Sequence, residues 1–317
     1  MNNLKKIGLS ALAGSLVATS AFAGEMAVGG SAKATWTDRE TGTNTGNQFG
    51  MNKGLTFNGS GDLDNGHSIK VYTALNGTSR SSSSITYDMG DMGSLTLDQG
   101  VGGHGIGSID DKTPTANEEI WDNIANATES YLVGVGNAGA LAYTTTLGGV
   151  TISADYLKQG GGDLEDGVVG TAGTGSSKSV ALTMSLADGF NVGIGRGDAG
   201  TVNNGVDANQ STAFATYAVG GVTVGLQRSE EDTVGANNWD SNQYGISFNV
   251  SDNISLGYGE RNIDIVGSTA DQEDSGFSAS YTMGSISVKG NLNKSDNMNG
   301  TSGTSKETTE IAVSFAF

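Results

Sequence analysis

The chain has 317 residues, with 34 acidic and 16 basic side chains and a formal net charge of −18. This charge argues against nucleic acid or anionic lipid as the main binding partner, because both are themselves negative. The 51 glycines are accompanied by one proline and no cysteine, so disulfides cannot stabilise the fold. Beyond the N-terminal leader, no apolar run reaches the length of about 18 residues that a transmembrane helix needs.

The first 23 residues have the three parts of a secretory signal peptide. Two lysines open it, a short apolar stretch follows, and Ala21-Phe22-Ala23 fits the cleavage pattern. We therefore expect residues 1–23 to be a signal peptide and residues 24–317 to form one exported domain. Because the leader holds two lysines and no acid, its removal takes the net charge from −18 to −20.

Apolar and polar residues alternate along most of the remaining chain. A period of two residues indicates a strand whose two faces meet different surroundings. Turn sequences such as Asn65-Gly66 and Gly148-Gly149 separate the alternating segments, as expected for hairpins. The segments are 26–37, 49–60, 67–76, 83–89, 94–99, 141–147, 150–156, 180–186, 190–194, 213–219, 222–226, 244–250, 254–258, 277–283, 286–292 and 306–317.

The connections between these 16 segments alternate between short turns and mostly long loops. This layout is typical of an outer-membrane barrel, which has short turns on one side and longer loops on the other. The predicted fold class is all-β, a 16-stranded antiparallel transmembrane β-barrel. An even number of strands brings both ends to the same side, where the last strand pairs with the first. Phe315 and Phe317 lie on the apolar face of that last strand and are expected to help close the barrel.

Two other interpretations of the pattern are open to test. A soluble all-β protein would also show alternation, but with its apolar face turned inward. A rival strand count adds an extra strand over Tyr131 to Gly136, which would give an odd total.

Four features in this order make the chain similar to a known family. They are the signal peptide, the early sequence GLTFNGSGDLDNG, the long insertion after the fifth strand, and the terminal EIAVSFAF. Together they resemble the general porins of Gram-negative bacteria, most closely those of alphaproteobacteria. The resemblance implies a usually trimeric 16-stranded barrel in contact with outer-membrane lipids, with the third outside loop folded into the lumen as a constriction. It also implies passive diffusion of ions and small hydrophilic solutes, and it suggests that the terminal Phe is an address for barrel insertion.

The third outside loop, residues 100–137, contains the candidate constriction. Thr115 to Glu118 matches a capping box, which predicts a short helix from Glu118 to about Ala125. The apolar side of that helix would anchor the loop to the wall through Ile120, Trp121 and Ile124. The acidic residues expected at the constriction are Asp110, Asp111, Glu118, Glu119 and Asp122. The alternative is an acidic, solvated surface loop.

Four basic residues fall on the polar face of predicted strands and are the candidate basic wall: Lys33, Lys70, Lys289 and Arg261. The three lysines lie on the first, third and fifteenth strands, which come near each other once the barrel closes. Lysines facing acidic loop residues would create a transverse field that disfavours apolar solutes. The alternative is a set of isolated solvated side chains. The chain has few arginines, so a strongly basic wall of the family type is not expected.

Enzyme motifs are missing from the sequence. It has two histidines, no cysteine nucleophile, and neither G-x-S-x-G nor H-E-x-x-H, so we expect a non-enzyme without a cofactor. Acidic groups in the predicted outside loops could bind divalent cations weakly. These groups are Asp163, Glu165 and Asp166; Glu230, Glu231 and Asp232; and Asp271, Glu273 and Asp274. We expect a cation-favouring channel, with a substrate-specific channel or a non-pore surface adhesin as the alternatives.

Overall fold

A computed structural model describes residues 24–39, 46–77, 79–124, 132, 138–158, 166–169, 175–200, 208–233 and 238–317. The predicted signal peptide and most of the rival strand over 131–136 lie outside these residues. The strands are β1 (Met26–Arg39), β2 (Phe49–Asp62), β3 (Ser68–Asn76), β4 (Ser79–Asp88), β5 (Ser94–Gln99), β6 (Ala138–Leu147), β7 (Val150–Lys158), β8 (Ser176–Ala187), β9 (Phe190–Ala199), β10 (Ala208–Val219), β11 (Val222–Thr233), β12 (Trp239–Ser251), β13 (Ile254–Ile265), β14 (Gln272–Met283), β15 (Ile286–Asp296) and β16 (Ser305–Ala316). Short 3₁₀ helices cover Gly90–Met92, Gly105–Ile109 and Met298–Gly300.

The 16 strands form one closed antiparallel barrel, as the alternation predicts. Each strand pairs with its neighbours in the chain, and β1 pairs with β16 to close the sheet. Beyond β16, the Phe317 amide donates to the Gly30 carbonyl at 2.9 Å, and the Gly30 amide donates to the Phe317 carbonyl at 2.7 Å. β5 pairs directly with β6, so no extra strand lies between them and the rival count is wrong.

The two faces of the barrel wall differ in polarity. One face exposes large apolar side chains, for example Met51 at 77% and Phe277 at 61% of their surface. The opposite face holds hydroxyl, amide and charged side chains, many of them buried, such as Gln227 and Ser241. A soluble barrel would bury its apolar face, so this arrangement fits a wall whose apolar face meets lipid.

The strands extend further than the sequence pattern indicates. β11 continues to Thr233 and β14 begins at Gln272, so two acidic clusters assigned to outside loops lie in strands instead, except for Asp271, which precedes β14. The alternation fades there because both faces of these ends are polar, while the backbone pairing continues. Glu231, for example, accepts a hydrogen bond from Gln210 Nε2 at 2.6 Å across β10 and β11.

One of the two named hairpin turns has the backbone that the sequence predicts, whereas at Asn65-Gly66 only the glycine has a positive φ, of 81°. Gly148 and Gly149, between β6 and β7, have φ angles of 58° and 84°. Positive φ at both central residues is the requirement of the two-residue hairpin turn that matches strand twist. In the described part of the chain, no helix is long and apolar enough to cross a membrane.

Candidate functional site

The chain that follows β5, here called the third-loop segment (residues 100–124), is fixed at its start by a buried carboxylate. Asp98 has no exposed surface and accepts hydrogen bonds from the amides of Val101 and Gly102, both at 2.7 Å. His104 Nε2 lies 3.1 Å from Asp98 Oδ2. The end of β5 therefore holds the first residues of the segment in one direction.

The segment then runs along the polar face of successive strands, where side chains of the wall bind its backbone. Ser153 on β7 accepts from the Gly105 amide at 2.9 Å, and Ser179 on β8 accepts from the Ile106 amide at 2.8 Å. Gln227 on β11 donates to the Ile109 carbonyl at 2.8 Å. These bonds satisfy backbone groups that would otherwise be unpaired in an irregular segment.

Glycines on the polar face of β9 and β11–β14 form a track beneath the segment. The glycine track consists of Gly195, Gly225, Gly245, Gly257, Gly259 and Gly276. A Cβ added at Gly245 would lie 2.7 Å from the Pro114 carbonyl oxygen, and one at Gly276 would lie 3.1 Å from Ile120 Cβ. The absence of side chains at these positions lets the backbone of the segment approach the wall.

Of the three predicted anchors, Ile120 and Trp121 contact the wall and Ile124 is buried. Trp121 and Ile124 are 8% and 4% exposed, and Ile120 packs over the glycine track. The predicted helix from Glu118 is wrong over the described residues, which form bends and a turn. The Asp122 amide donates to the Glu119 carbonyl at 3.1 Å, so the bonds close short turns rather than helical ones.

Two asparagines of β15 explain why no helix forms here. Asn293 Nδ2 donates to the carbonyls of Glu119 and Asp122, at 3.1 and 3.0 Å. Asn291 Nδ2 donates to the Glu118 carbonyl at 3.4 Å, and Asn291 Oδ1 accepts from Asn117 Nδ2 at 2.6 Å. These bonds to the wall replace the bonds of the predicted helix.

Arg261 lies on the polar face of β13, as predicted, but it does not line open space. Its guanidinium and the Asp274 carboxylate have no exposed surface, and Nη2 lies 2.6 Å from Asp274 Oδ2. The Trp121 ring lies 3.8 Å from Arg261 Cζ in a cation–π contact. Arg261 therefore holds Trp121 of the segment against the wall. This position corrects the assignment of Arg261 to an exposed basic wall.

Lys33 touches the acidic segment instead of facing it across a gap. Its Nζ lies 3.3 Å from Glu118 Oε1 and 3.6 Å from Glu310 Oε1, with about a third of the side chain exposed. The expected opposition of Lys33 and the segment is thus wrong in geometry, because Glu118 reaches β1 directly. The positive charge of Lys33 is compensated locally.

The other two wall lysines lie apart from the segment's acidic end. Lys70 Nζ is 2.8 Å from Asp88 Oδ2 on the exposed polar face of β3 and β4. The β2 partners of Lys33 and Lys70 are Asn52 and Ser60, eight residues apart. At about 3.3 Å per residue, Lys70 lies roughly 26 Å further along the wall. Lys289 lies on the polar face of β15, in register with Ala312.

Three carboxyl groups of the segment are made weaker acids by their surroundings. Burial raises the pKa of Asp110, Glu119 and Asp122, because the charged form loses contact with water. For Asp122, repulsion by the nearby carboxylates of Glu118 and Glu310 adds to the effect of burial. Asp111 accepts hydrogen bonds from the Thr113 amide and hydroxyl, at 3.0 and 2.8 Å.

Several functional positions could not be recognised from the sequence. The glycine track is hidden among 51 glycines, and Asn291 and Asn293 are ordinary polar residues of an alternating strand. They differ from the other glycines and polar residues only because they lie on the polar face of their strands and under the path of the segment. Within the described ranges, no group of three or more His, Asp or Glu side chains is arranged to hold a metal ion; Asp163 and Glu165 lie outside those ranges.

Solved structures with this fold include porins. One porin structure aligns with a TM-score of 0.70 at 14% identity, over 92% of this chain and 100% of its own. An anion-selective porin from Comamonas acidovorans has a TM-score of 0.64 at 15% identity, over 93% and 100%. The trimer form of the outer membrane protein OmpT of Vibrio cholerae has a TM-score of 0.64 at 10% identity, over 93% and 100%. At these identities the likeness shows the fold alone.

A search of curated proteins found no match to the chain. The profile of a family described as Gram-negative porin matches residues 8–317, which include every strand of the barrel. The chain therefore belongs to the Gram-negative porin family.

Proposed function

We propose that this outer-membrane porin is a water-filled channel for passive diffusion of ions and small hydrophilic solutes, narrowed by the third-loop segment inside the lumen. The observation that carries the proposal is the order of the segment's contacts. They pass from Ser153 on β7, through Gln227 on β11, to Asn293 on β15, always on the polar face. A loop outside the barrel mouth would meet strand ends only, whereas this one follows the wall around the barrel.

The passage then lies between the segment and the polar faces of β2–β4. Those faces carry hydroxyl and amide groups, such as Thr56, Asn58 and Ser84, and the paired charges of Lys70 and Asp88. Such a wall replaces the hydration of a polar solute without binding it firmly. The family and fold point to a channel rather than an enzyme, in agreement with the lack of catalytic motifs.

We infer a preference for cations. The candidate constriction has five acidic groups, Asp110, Asp111, Glu118, Glu119 and Asp122, while Lys33 is compensated and Arg261 is buried. Of the four candidate wall cations, Lys70, itself paired, and Lys289 remain. Arg39 on β1, bound to Asn123, and Lys112 on the segment add two positive charges, fewer than the five acidic groups. The fold alone does not set the sign of selectivity, since the similar Comamonas acidovorans porin is anion-selective.

The experiment is a reversal-potential measurement on the purified porin in a planar bilayer under a salt gradient. We expect stepwise conductance and a potential whose sign corresponds to faster cation movement. A potential of the opposite sign would contradict the selectivity, and an absence of conductance steps would contradict the channel and favour a non-pore surface protein.

A substrate-specific channel on the same barrel is the second candidate. It is favoured by a recess of about 550 Å³ on the wall of β1–β4, where Lys70 and Tyr72 lie beside hydroxyl and amide groups. Liposome swelling separates the two candidates. Rates that rise in proportion to solute concentration for sugars, amino acids and phosphate support general diffusion, whereas saturation for one solute supports specificity.

Export and assembly complete the proposal. We propose that residues 1–23 are removed as a signal peptide, that the barrel lies in outer-membrane lipid, and that three copies associate. The trimer form of the Vibrio cholerae protein with this fold supports the last point. We propose no cofactor and no nucleic-acid partner, with weak divalent-cation binding limited to the acidic groups of the outside loops.

A further inference from the structure

We propose that Asn123 and Glu310 form a latch between the C-terminal end of the third-loop segment and the seam, the pair of strands β1 and β16 that closes the barrel. By fixing this end of the segment, the latch sets the width of the channel. The inference rests on the proposed channel function and assigns a positioning role to two residues that the sequence pattern does not mark. Neither residue belongs to the acidic or basic sets expected at the constriction.

Glu310 is the centre of the latch on the wall side. Its side chain is only 7% exposed, on the polar face of β16. Oε2 accepts hydrogen bonds from Asn123 Nδ2 at 2.9 Å and from Thr37 Oγ1 at 3.1 Å, while Lys33 Nζ lies 3.6 Å from Oε1. A buried carboxylate needs such partners, because its desolvation is otherwise costly.

Asn123 is shaped for the other half of the latch. Its φ angle of 63° is in the left-handed region, which asparagine tolerates better than most residues. Its Oδ1 accepts from Arg39 Nη2 on β1 at 2.6 Å, and its carbonyl accepts from Thr308 Oγ1 on β16 at 3.0 Å. One residue of the segment is therefore bonded to both strands of the seam.

The latch has a direct consequence for the constriction. Glu118, Glu119 and Asp122 precede Asn123 by five residues or fewer, so the position of Asn123 determines where their carboxylates stand. The start of the segment is held separately by Asp98, far along the wall on β5. With the latch open, the acidic end keeps its packing on the glycine track, its bonds to Asn291 and Asn293, the ion pair of Glu118 with Lys33, and the contact of Trp121 with Arg261.

The test exchanges the hydrogen-bond donor and acceptor of the latch by mutation and records single channels of the variants. Asn123→Asp keeps the size and the backbone preference of Asn123, but it replaces the donor facing Glu310 with a second carboxylate. We compare the time that the open channel spends at a steady current (the quiet state) with the time that it spends in rapid open–closed transitions (flicker). We expect this ratio to fall about tenfold or more, the factor for loss of one charge-assisted hydrogen bond. The double variant Asn123→Asp with Glu310→Gln restores a donor–acceptor pair in the reverse direction and should recover the quiet open state.

Glu307→Gln is the matched control, since Glu307 lies on the same strand but on the outward face, and it should behave as wild type. A quiet Asn123→Asp channel, or a double variant that flickers as much as the single one, would overturn the latch. If Asn123→Asp does not insert, Asn123→Gly removes the side chain without backbone strain and must flicker. Wild-type protein without conductance steps would instead refute the channel itself.

Discussion

At the scale of single residues, the backbone of the third-loop segment approaches the wall closely where the wall has no side chain. Pro114 sits over two glycines of the track, Gly225 and Gly245. A methyl group at Gly245 would lie 2.7 Å from the Pro114 carbonyl oxygen and 3.0 Å from its nitrogen. Distances this short require a backbone shift, since neither atom belongs to a flexible side chain.

Gly245→Ala should therefore push the segment away from the wall and narrow the passage on its other side. We expect a lower single-channel conductance with an intact barrel, measured by bilayer recording and by circular dichroism. Gly59→Ala is the control, because a Cβ there meets nothing within 4 Å. Equal conductance in both variants would show that the segment is not seated on the glycine track.

Burial also changes the pH at which the carboxyl groups of the segment lose their charge. A carboxyl whose pKa is raised takes up its proton at a higher pH than an exposed one. As the pH falls from neutral, each of these carboxyls should become neutral above its ordinary pKa, which is 3.8 for Asp110 and Asp122 and 4.5 for Glu119. Cation preference should decline in this pH range, while exposed carboxylates are still charged.

Reversal potentials measured at a series of pH values test this expectation. In the variant with Asp110→Asn, Glu119→Gln and Asp122→Asn together, the early decline should be missing. The control replaces three acids of the short turns, Asp64, Asp188 and Asp252, by asparagine and should keep it. A wild-type potential that is constant down to the ordinary pKa range would contradict the role of the buried carboxyls.

At the scale of elements, β13 and β14 carry a buried ion pair whose partners cannot be separated cheaply. Removing one member of such a pair leaves an uncompensated buried charge, which typically costs about 3–5 kcal/mol. Asp274→Asn should destabilise the barrel by about this amount, because Arg261 stays charged with no exposed surface. Unfolding by guanidinium in lipid vesicles measures the change.

The comparison is the exposed pair of Arg228 and Glu230, 2.9 Å apart with about half of each side chain in solvent. Glu230→Gln should cost about 0–1 kcal/mol, as for surface pairs in general. Similar losses in the two variants would mean that the Arg261 pair contributes no more than a surface one.

The third-loop segment shows where sequence reasoning succeeds and where it fails at this scale. Its place in the chain and its anchors, Trp121 and Ile124, follow from local residue types. Its conformation does not, because the capping box at Thr115 is a local preference and the bonds from Asn291 and Asn293 are not local. The predicted strand ends fail for a related reason: alternation disappears where both faces are polar, although the hydrogen-bonded ladder continues.

At the scale of the whole molecule, the strand count and the closure by β16 were predictable because the same signal repeats in every hairpin. A single misassigned segment would have broken the order of short and long connections. The height of side chains along the wall was not predictable, since it depends on the registers between strands. Lys33 and Lys70 seemed to be neighbours by strand number, yet their β2 partners lie eight residues apart.

The path of the third-loop segment also determines the shape of the proposed passage. The contacts of its described residues run from β7 to β16 and β1, so the proposed passage lies on the other side of the wall, along β2–β4. In the proposed channel, a segment that follows one side of the wall leaves a crescent-shaped passage. Through a crescent, planar molecules pass edge-on, while compact ones of equal mass are held back by their thickness. The porin should thus sort solutes by flatness as well as by weight.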